Sequence, residues 1–120
     1  MAGGFRLKRV YEAPAEQDGV RILTDRLWPR GMKKQDAELA EWDKDLAPST
    51  ELREWFHADR EHRFDEFAAR YRAELRADGQ HERLAALRKR AAQSTVTLLT
   101  GAPDAAHSYL AVLLDELEQG

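Results

Sequence analysis

The stretch that decides the fold is Thr95-Val96-Thr97-Leu98-Leu99-Thr100-Gly101-Ala102-Pro103-Asp104. Its first six residues are uncharged and rich in β-branched and leucine side chains. That is too apolar for an exposed edge, so the segment predicts a central strand covered on both faces. Gly101 to Asp104 then turns the chain, and Asp104 is placed to cap a helix. Leu110, Leu113, Leu114 and Leu117 recur at helical spacing and supply the buried stripe of that helix. A buried strand delivering the chain directly to a helix is a building unit of α/β sheets.

Two more strands precede it. Phe5 and Leu7 alternate with basic residues ahead of Val10 and Tyr11, and Val20-Arg21-Ile22-Leu23-Thr24 is rich in β-branched residues and ends at Asp25. Glu12 to Gly19 reads as a loop through Pro14, Asp18 and Gly19. Pro29 and Gly31 stop regular structure after the second strand, since proline lacks a donor and glycine admits positive φ. Lys33 to Glu41 has a poor apolar period and reads as a short solvated helix. Pro48-Ser49-Thr50-Glu51 offers a hydroxyl N-cap and an acid in the first turn, so a helix begins there, with Leu52, Trp55 and Phe56 on its buried face.

From about Asp59 a second helix carries Phe64, Phe67, Ala68, Tyr71 and Leu75 on one stripe until Asp78-Gly79 breaks it. Leu84, Leu87 and Ala91 mark another, with Arg83, Arg88, Lys89 and Arg90 on its basic face. The expectation is a single α/β domain over residues 1–120, a small and mostly parallel sheet with helices on both faces.

A chain of 120 residues has room for one core. Its net charge of -3 and pI near 5.8 give no global attraction for nucleic acid or an anionic membrane, so either would need a local patch. The absence of cysteine excludes disulfides, thiolate nucleophiles and Cys-rich zinc frameworks. Met1-Ala2-Gly3-Gly4-Phe5 lacks the apolar stretch of a signal peptide, and no apolar run approaches the roughly 20 residues that span a bilayer. A cytoplasmic protein with no membrane partner is expected. The oligomeric state is open.

Three polar clusters carry candidate chemistry. Asp25-Arg26-Leu27-Trp28-Pro29-Arg30-Gly31 follows the second strand: Arg26 and Arg30 can clamp a carboxylate or phosphate, and Asp25 can orient an arginine or act as a base. The plainer reading is a structural Asp25–Arg26 ion pair with Trp28 in the core. The turn from Thr100 to His107 brings the buried strand to a helix N-terminus, where free amides favour an anion that Thr100, Asp104, His107 and Ser108 could contact. There the plainer reading is a cap and an exposed histidine. Ser49, Thr50, Arg53 and His57 form the third cluster, with Arg53 and His57 four residues apart on one helical face.

No metal site is expected, because His57, Glu61 and His62 lack the spacing of a zinc-binding helix. No nucleotide-binding glycine motif is present. A triad of Ser49 or Ser108 with His107 and Asp25 lacks a nucleophile elbow. Which cofactor, if any, the protein uses is unknown.

The run Asp25 to Gly31, Leu46-Ala47-Pro48-Ser49 with Leu52, Arg53, Trp55 and Phe56, and Thr97-Leu98-Leu99 ahead of Asp104 together resemble the YeaO-like branch of domain-of-unknown-function family 488 (DUF488). The resemblance extends from Leu7-Lys8-Arg9-Val10-Tyr11 to the last helix. It implies a small bacterial or archaeal cytosolic α/β protein and carries no assigned activity. Family members are expected to read Leu-Leu-Tyr or Leu-Leu-Cys where this chain has Leu98-Leu99-Thr100, and many are expected to have Asn where it has Ser108. Thr100 and Ser108 keep hydrogen-bonding groups, but a cysteine-dependent reaction is ruled out.

The leading expectation is a pocket at the strand ends that binds, and could turn over, a small anionic or nucleotide-like ligand. Arg26, Trp28, Arg30, Ser49, Arg53, Thr100 and Asp104 would contact the ligand, His57 or His107 would transfer protons, and Asp25 would orient them. The alternative is a non-catalytic nucleic-acid or protein-interaction module built on Arg30, Lys33, Lys34 and Trp28.

Overall fold

Four strands form one sheet among the described residues: β1 (Gly4–Arg9), β2 (Val20–Leu23), β3 (Glu41–Trp42) and β4 (Thr95–Thr100). Their order is β1-β4-β2-β3, and every neighbouring pair is parallel. The computed structural model describes residues 3–119, so Met1, Ala2 and Gly120, at the ends of the expected domain, lie outside it. The helices are α1 (Lys34–Ala37), α2 (Thr50–His57), α3 (Arg60–Leu75), α4 (Gln80–Gln93) and α5 (Tyr109–Glu118). None of the described helices is long and apolar enough to cross a membrane.

The apolar run Val96 to Thr100 occupies the middle of the sheet, as its composition demands. β4 pairs with β1 from Gly4↔Thr95 to Arg9↔Thr100 and with β2 from Val20↔Val96 to Leu23↔Leu99. Handedness then assigns the layers. Parallel crossovers are right-handed, so connections running toward β3 must cover one face and those running back the other. The β1-to-β2 loop and α1 accordingly share one face, and α2, α3 and α4 take the opposite one.

Strand alternation separates the two cores. Ile22, Val96 and Leu98 pack with Leu52, Phe67, Tyr71, Leu87, Leu110 and Leu113 under the long helices. Leu23 and Leu99 pack with Val10, Ala37 and the partly buried Trp28, Met32 and Leu39 on the other side. Helices thus lie on both faces, unequally: α1 is one turn, and loops complete its layer.

A buried ion network holds that thinner layer. The Asp18 carboxylate, 1% exposed, accepts hydrogen bonds from Lys8 Nζ at 2.9 Å, Arg21 Nη1 at 2.6 Å and the Ala15 amide at 3.0 Å. Arg21 Nε and Nη2 also donate to the Ala37 carbonyl, at 3.1 and 2.8 Å, tying α1 down. Thr97 Oγ1 donates to the Asp18 carbonyl at 2.7 Å, joining the loop to the central strand. Gly19 follows with φ +61°, and a Cβ there would meet the Thr95 carbonyl oxygen at 2.3 Å. Only glycine fits that approach.

Four local features differ from expectation. The helix expected over Lys33 to Glu41 shortens to α1, because Glu38 turns left-handed at φ 46° and releases the chain into β3. β3 left no sequence signal, since Glu41 and Trp42 are both exposed and show no alternation. Asp104 caps only a short 3-10 turn, Ala105–His107, and the cap of α5 is Ser108, whose Oγ accepts the Leu110 amide at 3.2 Å. Phe64, expected on the buried stripe of α3, is 38% exposed.

Burial alone would raise the Asp18 pKa, but hydrogen bonds from Lys8, the Ala15 amide and Arg21 outweigh it and hold the carboxyl below its ordinary 3.8. Its stabilising contribution is complete above 3.8 and is lost as pH falls through the lower folded value. Asp18→Asn is predicted to cost about 3 kcal/mol in urea unfolding at neutral pH by leaving the Arg21 charge buried and unpaired. The same substitution should remove this acid-dependent component.

Candidate ligand-binding cavity

A cavity of about 500 Å³ opens beyond the carboxyl ends of β2 and β4. These neighbouring strands release the chain to opposite faces, β2 toward Trp28 and α1 and β4 toward α5, and a crevice necessarily forms between two such exits.

The floor is built around Asp25, the first polar residue past the end of β2 to line the cavity. Its Oδ2 accepts the Gly101 amide at 2.8 Å and its Oδ1 accepts the Tyr109 hydroxyl at 2.5 Å. Burial, followed by the nearby Asp25 charge, pushes the Tyr109 hydroxyl well above its ordinary pKa, so the phenol keeps its proton and donates it. Thr100, 1% exposed, uses its Oγ1 to accept the Ala102 amide at 3.1 Å and steadies the turn.

Arg26 does not pair with Asp25. Its Nε donates to the Pro48 carbonyl at 3.1 Å and its Nη2 to the Ala47 carbonyl at 3.2 Å, which fixes the segment leading into α2. The expected structural ion pair is thus replaced by a guanidinium clamped on main chain.

The side wall comes from α2 and the start of α3. Ser49 Oγ accepts the Leu52 amide at 3.2 Å as N-cap, and Glu74 accepts from the Ser49 amide and hydroxyl at 2.8 and 2.6 Å. α2, anchored in this way, presents Arg53, Phe56 and His57 to the cavity, and α3 presents Arg60 and Phe64. The Arg53 Nε is buried and finds no acceptor among the described residues. The described arginine ion pairs involve Arg21, Arg70, Arg72, Arg76, Arg83 and Arg90, and neither Arg53 nor Arg60. Partial desolvation, then the charges of Arg60 and Arg53, hold the His57 pKa below its ordinary 6.5.

The far rim is the turn after β4. Asp104 accepts the Ala106 amide at 3.1 Å and faces His107 Nδ1 at 2.6 Å, both side chains being exposed. The His107 hydrogen bond holds the Asp104 carboxyl below its usual range.

Of the residues singled out in the sequence, Asp25, Arg26, Arg53, His57, Thr100, Asp104 and His107 meet around this one cavity. Trp28, Arg30 and Ser49 lie outside its lining. The Trp28 indole donates to the Met32 carbonyl at 2.7 Å and packs edge-on against Trp42, while Arg30 is exposed. Arg60 and Tyr109 were not anticipated. Arg60 follows the short break between two helices and belongs to no local motif; Tyr109 resembles an ordinary helix residue until Asp25 is brought beside it. Among the described residues, no group of three or more His, Asp or Glu side chains is arranged to hold a metal.

The His57 imidazole is predicted to titrate below 6.5 in an NMR pH series. Arg60→Gln should move its midpoint upward by removing one of the two neighbouring charges, and an unchanged midpoint would contradict the placement of Arg60 beside it.

The chain is 49% identical over 108 residues to an uncharacterised protein of Mycobacterium tuberculosis (strain ATCC 25618 / H37Rv), covering 90% of this chain and 88% of that protein. It is 46% identical over 117 residues to the uncharacterised protein YeaO of Escherichia coli (strain K12), covering 94% and 96%. No solved structure matches it. The family profile of DUF488-N3i, described as the inactive DUF488-N3 subclade, matches residues 4–120, and the chain therefore belongs to the DUF488 family.

Proposed function

We propose that this protein is a binding protein for a small anion, a carboxylate or a phosphate, held in the cavity at the ends of β2 and β4. The observation that carries the proposal is the Arg53 guanidinium, set in the cavity wall with its buried Nε lacking a protein acceptor. Arg53 makes no ion pair among the described residues, and an anion in the cavity would supply its guanidinium with a charge-assisted partner. Arg60 adds a second unpaired cation, and Arg26, with Nε and Nη2 engaged by main chain, has Nη1 left for the ligand.

Both Asp25 oxygens accept a hydrogen bond, from the Gly101 amide and the Tyr109 hydroxyl, and its role here is to hold the floor. Thr100 and Asp104 shape the turn, and His57 and His107 stand where they could exchange a proton with a bound anion. The description of the subclade as inactive favours retention of a ligand over its turnover. The nucleic-acid alternative is weaker. Arg30, Lys33 and Lys34 are exposed, but its stacking residue, Trp28, is packed and its indole N–H is spent on the Met32 carbonyl.

Calorimetric titration with inorganic phosphate and with acetate tests the proposal. Arg53→Ala should weaken binding by about tenfold or more, the effect of losing one charge-assisted hydrogen bond, with the fold retained. Arg30→Ala, outside the cavity, should bind like the unmodified protein. Equal binding by Arg53→Ala and the unmodified protein would overturn the assignment.

A further inference from the structure

We infer that the anion held in this cavity carries an aromatic ring, and that Phe64 selects it; the inference rests on the anion-binding reading above and specifies its ligand. The large apolar side chains exposed among the described residues are Tyr11, Leu27, Trp42 and Phe64, and two of them, Leu27 at 61% and Phe64 at 38%, line this cavity. Exposed apolar groups gathered beside convergent cations are the signature of a site for an amphipathic molecule.

The phenyl groups in the wall are ordered. Phe56 stacks on Phe67 with centroids 4.3 Å apart and planes at 23°, and Phe67 is 2% exposed. Phe64 stands edge-on to Phe56 at 6.0 Å and 62°, leaving its ring partly uncovered in the cavity wall. Each helix also offers the same pair: Arg53 and Phe56 lie one turn apart on α2, and Arg60 and Phe64 lie one turn apart on α3. A ligand with its charge between the guanidinium groups therefore places its body against the phenyl groups.

Size argues the same way. A water occupies about 30 Å³ of liquid, so a bare oxyanion, only a few waters in size, leaves most of the 500 Å³ to solvent. An aryl carboxylate or aryl phosphate fills much more of it. A ring also gains edge or face contact with Phe64 that an alkyl group of similar area does not.

Calorimetric titrations of the full chain with inorganic phosphate, phenyl phosphate, acetate, benzoate and cyclohexanecarboxylate separate the possibilities. The aryl anions should bind about tenfold more tightly than their inorganic or small counterparts, and benzoate more tightly than cyclohexanecarboxylate. The phosphate and carboxylate arms identify which head group the arginines hold. Phe64→Ala should abolish the aryl preference, read as the ratio of phenyl phosphate to inorganic phosphate affinity within the same variant. Because Phe64 also packs on Phe56, Phe64→Leu serves as a second variant that keeps apolar bulk and should lose the same preference. Equal affinity for phenyl phosphate and phosphate, equal affinity for benzoate and cyclohexanecarboxylate, or an aryl preference that survives both substitutions would overturn the ring inference and leave the anion reading standing. Failure of every anion to bind would overturn both.

Discussion

Asp25 joins the carboxyl ends of the two inner strands to the start of the last helix, and the shape of the cavity depends on that tie. One carboxylate takes the Gly101 amide from beyond β4 and the Tyr109 hydroxyl from α5, while its own main-chain carbonyl takes the Trp42 indole N–H at 2.7 Å. Hydrogen bonds to an ionised acceptor in a partly buried setting are among the stronger ones a protein makes. Tyr109 extends the tie through an edge-on contact with Tyr71 at 5.9 Å, and the Tyr71 hydroxyl donates to the Leu46 carbonyl at 2.6 Å. The segment next to Leu46 is the one that Arg26 clamps. Strand ends, α5 and the run into α2 are thus referenced to one another by polar contacts at the cavity floor.

The charges divide accordingly. Asp25 is framework, Arg26 is held by main-chain carbonyls through Nε and Nη2 with Nη1 left over, and on the opposite face of the sheet Asp18, Lys8 and Arg21 hold the loop layer. Arg53 and Arg60 are left as cations in a concave wall of a protein whose overall charge is -3. A local positive field between low-dielectric walls concentrates anions independently of net charge.

Much of the fold is legible in the chain. The uncharged run Thr95 to Thr100 requires a central strand, the Ser49 hydroxyl with Glu51 starts α2, and Gly79 separates α3 from α4. The misses share a cause, the absence of local periodicity. β3 is two exposed residues held by pairing with β2, and α1 is a single turn ended by Glu38. The site was legible where polar residues follow strand ends, as with Asp25, Arg26 and Thr100. It was not where a side chain gains its setting from distant packing: Trp28 falls beside Arg26 in sequence yet belongs to the opposite core, and Arg60 and Tyr109 join the cavity only through the fold. Phe64 follows the helical stripe correctly but lies at its open end.

The central claim is that Arg53, and not the polar framework around it, receives the ligand. Heteronuclear NMR of the arginine Nε–H groups during titration with inorganic phosphate tests it most directly. The Arg53 Nε–H resonance should shift saturably, while that of Arg21, bonded to Ala37 on the other face, stays in place. An Arg53 resonance that does not move at phosphate concentrations saturating the protein would contradict the account.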